Sequence, residues 1–433
     1  MKYKSCKDLE SSLYVAPNEV RACCQRFFYK DKMRGDAKLI EIQNEVTPTS
    51  ADITNSRKKI FNQIQENKSE SCNGCPFLYE TEKKPEFNSE INHLSIEHHS
   101  VCNLRCNYCS ETYYGGKRSK YNVVEFIKYL SSSNSFHNCK QVVWGGGEPT
   151  LDKSFELIMN EIDRYANPNI YHRVFTNSVR YHDSVTKFLE EGKIKIVTSI
   201  DAGTKQTFKL VRGRDKFYNV FENLKKYAEV NPHSVTIKYI LTEENLNEEE
   251  LKKFVSNCIK YNLNNCCYQI SMNYKYQHLE LTLLKSIAYL MGIFKANDIN
   301  KFFCDDHIAA RFKKLTDEEK IIIKDYLIKK KIKNILLDDD GISNLNIFGA
   351  GDIAANILNK SSIQKKINNI EIFDSDPQKI GTMVSGIKIK KPNEILNNDY
   401  KIYISVAQSY DEIHSSLIKL NVDKKRIISG LFL

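Results

Sequence analysis

Val101-Cys-Asn-Leu-Arg-Cys-Asn-Tyr-Cys109 sets three cysteines, Cys102, Cys106 and Cys109, at C-x3-C-x2-C spacing. Three thiolates this close suit an iron–sulfur cluster, which usually takes four ligands. Zinc sites of the finger and ribbon type also use pairs of C-x2-4-C or a histidine at matching spacing. No fourth cysteine follows within the next turn or two. A cluster on three legs leaves one iron open to another molecule, and an open metal position serves catalysis. The apolar run His93–His98 just before the triplet reads as a strand, so the cysteines lie in the loop that follows it.

From His93 onward, short apolar runs alternate with amphipathic helical patterns, which argues for repeated βα units. The expected strands are His93–His98, Gln141–Trp144, Tyr171–Thr176, Lys195–Ile200, Ser234–Leu241 and Tyr268–Met272. Helical patterns fall at Asn122–Leu130, Phe155–Tyr165, Ser184–Glu190 and Val220–Glu229. The class is α/β, a partial (β/α)6 TIM-like barrel, in which catalytic groups sit at the C-terminal ends of strands. At the second such end stands Trp144-Gly-Gly-Gly-Glu-Pro-Thr150. Consecutive glycines let a backbone approach a ligand closely, and a carboxylate beside them can hold an ammonium group.

The cysteine triplet together with this Gly-Gly-Glu-Pro turn resembles the radical S-adenosylmethionine (radical SAM) enzymes. The resemblance implies that Cys102, Cys106 and Cys109 ligate three irons of a [4Fe–4S] cluster, with S-adenosylmethionine on the fourth. It places Tyr108 against the adenine and Gly146, Gly147 and Glu148 at the methionine ammonium. It implies cleavage of the cofactor to a 5′-deoxyadenosyl radical, chemistry that belongs to the cofactor. Asn177, in Thr176-Asn-Ser178, stands where relatives often have Thr-Asn-Gly; Ser178 lacks glycine's freedom at positive φ. Ser199 and Asp201 are candidates for the ribose hydroxyls. Arg212 resembles an arginine that pairs with the cofactor carboxylate. Lys238, on the fifth strand, is a further cofactor candidate. An electron donor such as flavodoxin or ferredoxin is also implied.

Residues 1–90 precede the barrel segment 91–275 and carry Cys6, Cys23, Cys24, Cys72 and Cys75. Between them Thr47–Ser56 is polar and reads as a loop. Relatives with auxiliary (SPASM/Twitch-like) clusters carry comparable cysteines, usually after the barrel. The expectation is a second [4Fe–4S] cluster on Cys6, one of Cys23 and Cys24, Cys72 and Cys75. A structural zinc on four thiolates is the alternative. Cys139, Cys258, Cys266, Cys267 and Cys304 are isolated and read as small buried hydrophobes. Among these Cys304 is the candidate hydrogen-atom donor.

Residues 276–342 read as a helical connector, ending at Asp338-Asp-Asp-Gly341. A small Rossmann-like unit, 343–433, follows. Its Gly349-Ala-Gly351-Asp-Ile-Ala354 turn and Asp374 match the dinucleotide fingerprint in outline, in a domain about half the usual size. It resembles units attached to sugar- and glycan-modifying enzymes, which points to a handle for a sugar-like or nucleotide-linked substrate, or to a structural role.

Thirteen cysteines, no apolar stretch long enough to span a bilayer and no signal-peptide h-region predict a cytoplasmic protein that uses cysteine for metal. The net charge of +10 is spread along the chain, and Lys329-Lys-Lys-Ile-Lys333 reads as a solvated helix end rather than a nucleic-acid patch. The expected function is radical SAM chemistry on a small molecule, a sugar or nucleotide-linked glycan precursor. Modification of a peptide or protein, or of RNA, is the alternative within enzymes. A non-catalytic iron–sulfur scaffold or redox-sensing module is the alternative outside them.

Overall fold

The computed structural model of the chain describes residues 2–30, 32–43, 45–110, 115–273, 275, 280–332, 337, 341–359, 361–406 and 409–430. Lys333 and Asp338–Asp340, of the basic run and the expected break, lie outside the described residues. The chain divides into two compact units, Met1–Thr198 and Ser199–Leu433, where the sequence pattern suggests four segments.

In the first unit the strands His93–Ile96, Gln141–Trp144, Tyr171–Phe175 and Ile194–Ser199 pair in parallel in that order. Helices Val123–Ser132, Phe155–Tyr165 and Asp183–Glu190 connect them. Each helix buries one apolar stripe, for example Phe155, Ile158, Met159 and Ile162. Trp144 lies edge-on to Phe155 at 4.9 Å, and its indole N–H donates to His172 Nδ1 at 3.1 Å, tying the second strand to the third.

The leader continues this sheet. Strand Ser12–Val15 pairs in parallel with His93–Ile96, and Glu19–Arg21 and Lys38–Glu41 add antiparallel beyond it. The stretch expected to be a loop at Thr47–Ser56 is instead the start of helix Ser50–Gln65. Thr49 and Asp52 close a capping box there, and Ile53, Ile60, Phe61 and Ile64 make a buried face that begins too late to mark Thr47–Ser56 as helical.

In the second unit Val235–Leu241, Cys267–Met272 and Phe302–Cys304 pair in parallel. Phe302–Cys304 interrupts the connector that reads as helical, and three residues are too few to show a strand period. The C-terminal sheet orders Met383–Val384, Ile387–Lys390, Asn369–Phe373, Asn344–Phe348, Lys401–Ile404 and Ile427–Ile428, parallel except for the first hairpin. Phe348, Phe373, Ile402 and Tyr410 of this sheet and its helix share a core with Cys267 of the barrel. Thr236 Oγ1 donates to Asp411 Oδ2 at 2.8 Å across the same seam. The alternation of strand and helix gives the mixed α/β, partial TIM-like barrel that the sequence predicts. Among the described residues, no helix is long and apolar enough to cross a membrane.

Candidate active site

The cysteine loop is pinned at its middle by Leu104, which is buried, while Cys102, Cys106 and Cys109 stay half-buried. That separates them from Cys139, Cys258, Cys266 and Cys267, which are fully buried as the sequence predicts for packing thiols. The Cys102 sulfur has two N–H neighbours, Leu104 N at 3.5 Å and Asn177 Nδ2 at 3.7 Å. N–H groups aimed at sulfur favour the thiolate that a metal cluster requires. Three half-buried sulfurs on one loop, whose sequence holds no further cysteine, make a donor set that fits a cluster held on three legs. Tyr108 lies half-buried on the same loop.

The glycine turn packs first of all against the chain. Gly147 N donates to His99 O at 3.0 Å and Glu148 N to Val101 O at 2.8 Å, so the turn carries the strand pairing onward to the cysteines. A Cβ on Gly147 would stand 2.2 Å from Val101 O, and Gly146 holds φ +85°, which disfavours any side chain. The close approach that the glycines provide is therefore to the cysteine loop itself.

Glu148 is fully buried and held from three sides. Its Oε1 accepts from the hydroxyls of Thr150 and Thr176, each at 2.7 Å, and its Oε2 accepts from Asn177 N at 2.6 Å. Burial raises its pKa, opposed by these donors. The carboxylate thus locks the second strand end to the third, and it orients Asn177. The Asn177 amide also donates to Asn103 Oδ1 at 2.6 Å, gripping the loop at Cys102 and the residue after it. Thr150 holds Glu148 from two residues along the same turn and Thr176 from the next strand end; the second link was not apparent from the sequence because it is between strands.

Three more groups surround the loop. Glu97, one residue past the first strand, accepts from the Tyr14 hydroxyl at 2.5 Å through Oε2, and a Cβ on Gly145 would lie 3.0 Å from its Oε1. Burial raises its pKa, opposed by the Tyr14 hydroxyl and the charges of Arg21 and Arg26. His98 Nε2 and Asp152 Oδ2 are 2.8 Å apart. With His99 they bring three ligand atoms within 4.8 Å of one another. His99 Nδ1 also accepts from Val101 N at 3.2 Å, so this cluster fastens the loop to the turn.

In the leader, Cys6, Cys23, Cys72 and Cys75 gather. Burial pushes the Cys6 thiol up to about 12 and the Cys23 thiol up to about 11, and the charges of Cys72 and, for Cys6, of Cys23 add to it. Cys75 is raised by burial and then by Cys72. Cys24 is exposed and feels Glu97, Asp36 and Asp8 rather than these sulfurs. Of the adjacent pair, Cys23 is the one whose thiol feels Cys72 and is felt by Cys6. Leu9 N donates to the Cys6 sulfur at 3.4 Å, so the chain also aims N–H groups here.

The second unit carries the remaining candidates. Asp201 is fully buried at φ +59°, its Oδ2 accepting from Arg212 Nη1 at 2.9 Å and its Oδ1 from Ile240 N at 2.7 Å. These two side chains are turned on each other, which fastens helix Lys205–Arg212 to the strand ends. Burial lowers the Lys238 pKa, opposed by the charges of Asp201 and Asp305, which places Lys238 among the same groups. Ser199 is half-buried where the fourth strand ends. The Cys304 sulfur stands 3.9 Å from Met291 Sδ in an 80 Å³ cavity with Phe312 and Tyr403. Burial raises its pKa, the setting of a core thiol. In the C-terminal turn, Asp374 accepts from Ala350 N at 2.8 Å and Asp376 N at 2.9 Å, so the acidic residue of the dinucleotide outline is engaged by its own loops.

Residues 96–255 match the family model described as the radical SAM superfamily, and residues 341–428 match one described as C2185-like, N-terminal. The GTP 3′,8-cyclase of Pasteurella multocida is 30% identical over 173 residues, which cover 39% of this chain and 50% of that protein. The GTP 3′,8-cyclase of Vibrio parahaemolyticus is 27% identical over 186 residues, 42% of this chain and 54% of that one. The chain spans about half the length of the curated relatives it matches. Among solved structures, Streptococcus suis SuiB bound to S-adenosylmethionine is 16% identical at a TM-score of 0.42, over 62% of this chain and 59% of that one.

Proposed function

We propose that this chain, whose residues 96–255 form a radical SAM domain, is a radical SAM enzyme acting on a sugar or nucleotide-linked precursor of a glycan. The observation that carries this reading is the joint fastening of the cysteine loop and the glycine turn around Glu148 and Asn177. When bound, a reduced [4Fe–4S] cluster supplies an electron that cleaves S-adenosylmethionine to a 5′-deoxyadenosyl radical, which takes a hydrogen atom from the substrate. Cys102, Cys106 and Cys109 hold that cluster. Glu148 keeps the turn and Asn177 in register, and the backbone of Gly146 and Gly147 meets the methionine ammonium. Cys6, Cys23, Cys72 and Cys75 hold a second cluster. Flavodoxin or ferredoxin supplies the electron.

The substrate class rests on the C-terminal unit, and it is in keeping with curated relatives named for GTP. Because the match spans half of those proteins, cyclisation of GTP itself is not proposed. The test uses anaerobically reconstituted protein, a reductant and S-adenosylmethionine. Release of 5′-deoxyadenosine should be slow alone and faster with a nucleotide sugar, and deuterium at the attacked carbon should pass into it. S-adenosylhomocysteine as the product would mean methyl transfer. No 5′-deoxyadenosine from a protein with intact clusters would leave the non-catalytic scaffold.

A further inference from the structure

A cavity of 440 Å³ opens in the second unit, where the N-terminal ends of the barrel strands meet the C-terminal sheet. His233 precedes strand Val235–Leu241, and Lys301 precedes strand Phe302–Cys304. His414 lies on helix Tyr410–Lys419, and Lys424 and Lys425 lie on the turn before the last strand. Lys295 completes the basic lining, against one lining carboxylate, Asp298. Lys301 is 8% exposed, with its ammonium 3.4 Å from Asp411 Oδ1 and 3.4 Å from His233 O. A buried lysine costs free energy to hold, and here it is aimed by a carboxylate and a carbonyl at the wall of the cavity.

Two histidines, His233 and His414, share this cavity with the lysines. Burial and then the charge of Lys301 hold His414 down to about 3, with Lys424 adding and Asp411 opposing. His233 is lowered by burial, Lys301 and Lys424 in the same way. Lowered in this way, the two rings offer hydrogen-bond donors or acceptors beside the lysines. The volume falls in the range of about 300–1,000 Å³ common for small-molecule sites. A lysine ammonium binds phosphate as a point charge, and several around one cavity fit more than one phosphoryl group.

We propose that this cavity binds the diphosphate group of a soluble ligand. The proposal does not rest on the radical chemistry. It also gives the C-terminal unit a ligand of its own, at the seam with the barrel rather than at the Gly349–Gly351 turn.

Calorimetric titration of the full chain with pyrophosphate tests it, in about 150 mM salt, where the Debye length of about 8 Å removes diffuse attraction. The expected result is saturable binding of one pyrophosphate per chain. Lys424→Ala/Lys425→Ala changes only exposed side chains and should weaken it about tenfold, the loss of two screened charge contacts. Lys301→Met should weaken it further, with circular dichroism confirming the fold. Absence of saturable binding, an unchanged affinity in the double variant, or inorganic phosphate binding as tightly as pyrophosphate would each overturn the assignment.

Discussion

Asn177 joins two strand ends to one sulfur. Its backbone N–H is spent on Glu148 and its side-chain amide on Cys102 and Asn103, so one residue carries the register of the whole loop. Hydrogen bonds to ligand sulfurs help set a cluster's potential. Asn177→Ala should lower the midpoint potential by about 40 mV, the one-electron equivalent of ~1 kcal/mol for one hydrogen bond. An EPR-monitored redox titration reads this, and an unchanged potential would remove the N–H contact from the account. The next residue, Ser178, sits at φ +54° with its hydroxyl 2.7 Å from Thr198 Oγ1. A left-handed conformation costs a side chain about 1–2 kcal/mol, and the hydroxyl pair returns about 1 kcal/mol of it. Ser178→Gly should be close to neutral in urea unfolding, while Ser178→Ala should lose about 2 kcal/mol, because it keeps the strain and strands the Thr198 hydroxyl. The departure from glycine was legible in the sequence. The partner that makes serine workable was not, because Thr198 belongs to another strand.

At the scale of elements, pairs across strands do what local pattern cannot show. The barrel strands and their helices follow from short apolar runs and amphipathic stripes, and their ends fall within three residues of expectation. Helix Ser50–Gln65 and strand Phe302–Cys304 escape that reading, the first behind a polar opening turn and the second by its shortness. Arg57, fully buried on that helix, donates to Ser12 O at 2.9 Å, Asn88 O at 2.8 Å and Glu90 O at 2.9 Å. It fastens the helix to the leader strand and to the entry of the barrel. Arg57→Leu leaves three carbonyls without this donor and should cost about 3 kcal/mol or more in chemical denaturation. A loss under about 1 kcal/mol would show that water replaces the guanidinium. His172 is a second such element link. Burial holds its pKa down to about 4, so the folded protein binds its proton later than the unfolded chain. Its contribution is present above about pH 6.5 and is lost as pH falls towards 4. Between pH 7 and pH 5 the wild type should lose about 2 kcal/mol more than His172→Asn, which keeps an acceptor for Trp144. Parallel pH dependences in the two proteins would contradict this.

For the whole molecule, the chain divides into two compact units at Thr198/Ser199, and the leader adds strands to the edge of the first unit's sheet. The cysteine triplet and the glycine turn announced the radical SAM domain. The preference for Cys23 over Cys24 in the proposed second cluster rests on burial and neighbouring charges in the fold, since adjacent residues share their spacing. If the leader holds a second cluster, anaerobically reconstituted protein should contain about eight irons per chain, and Cys72→Ala/Cys75→Ala about four. About four irons in the wild type, with one zinc, would assign the leader to zinc. The central claim is that the cluster on Cys102, Cys106 and Cys109 keeps an iron open for S-adenosylmethionine. The most direct measurement is the EPR spectrum of the reduced wild-type protein before and after S-adenosylmethionine is added. Part of the spectrum should shift, and Cys106→Ala should lack that part. A spectrum with intact clusters that does not respond to S-adenosylmethionine would contradict the account.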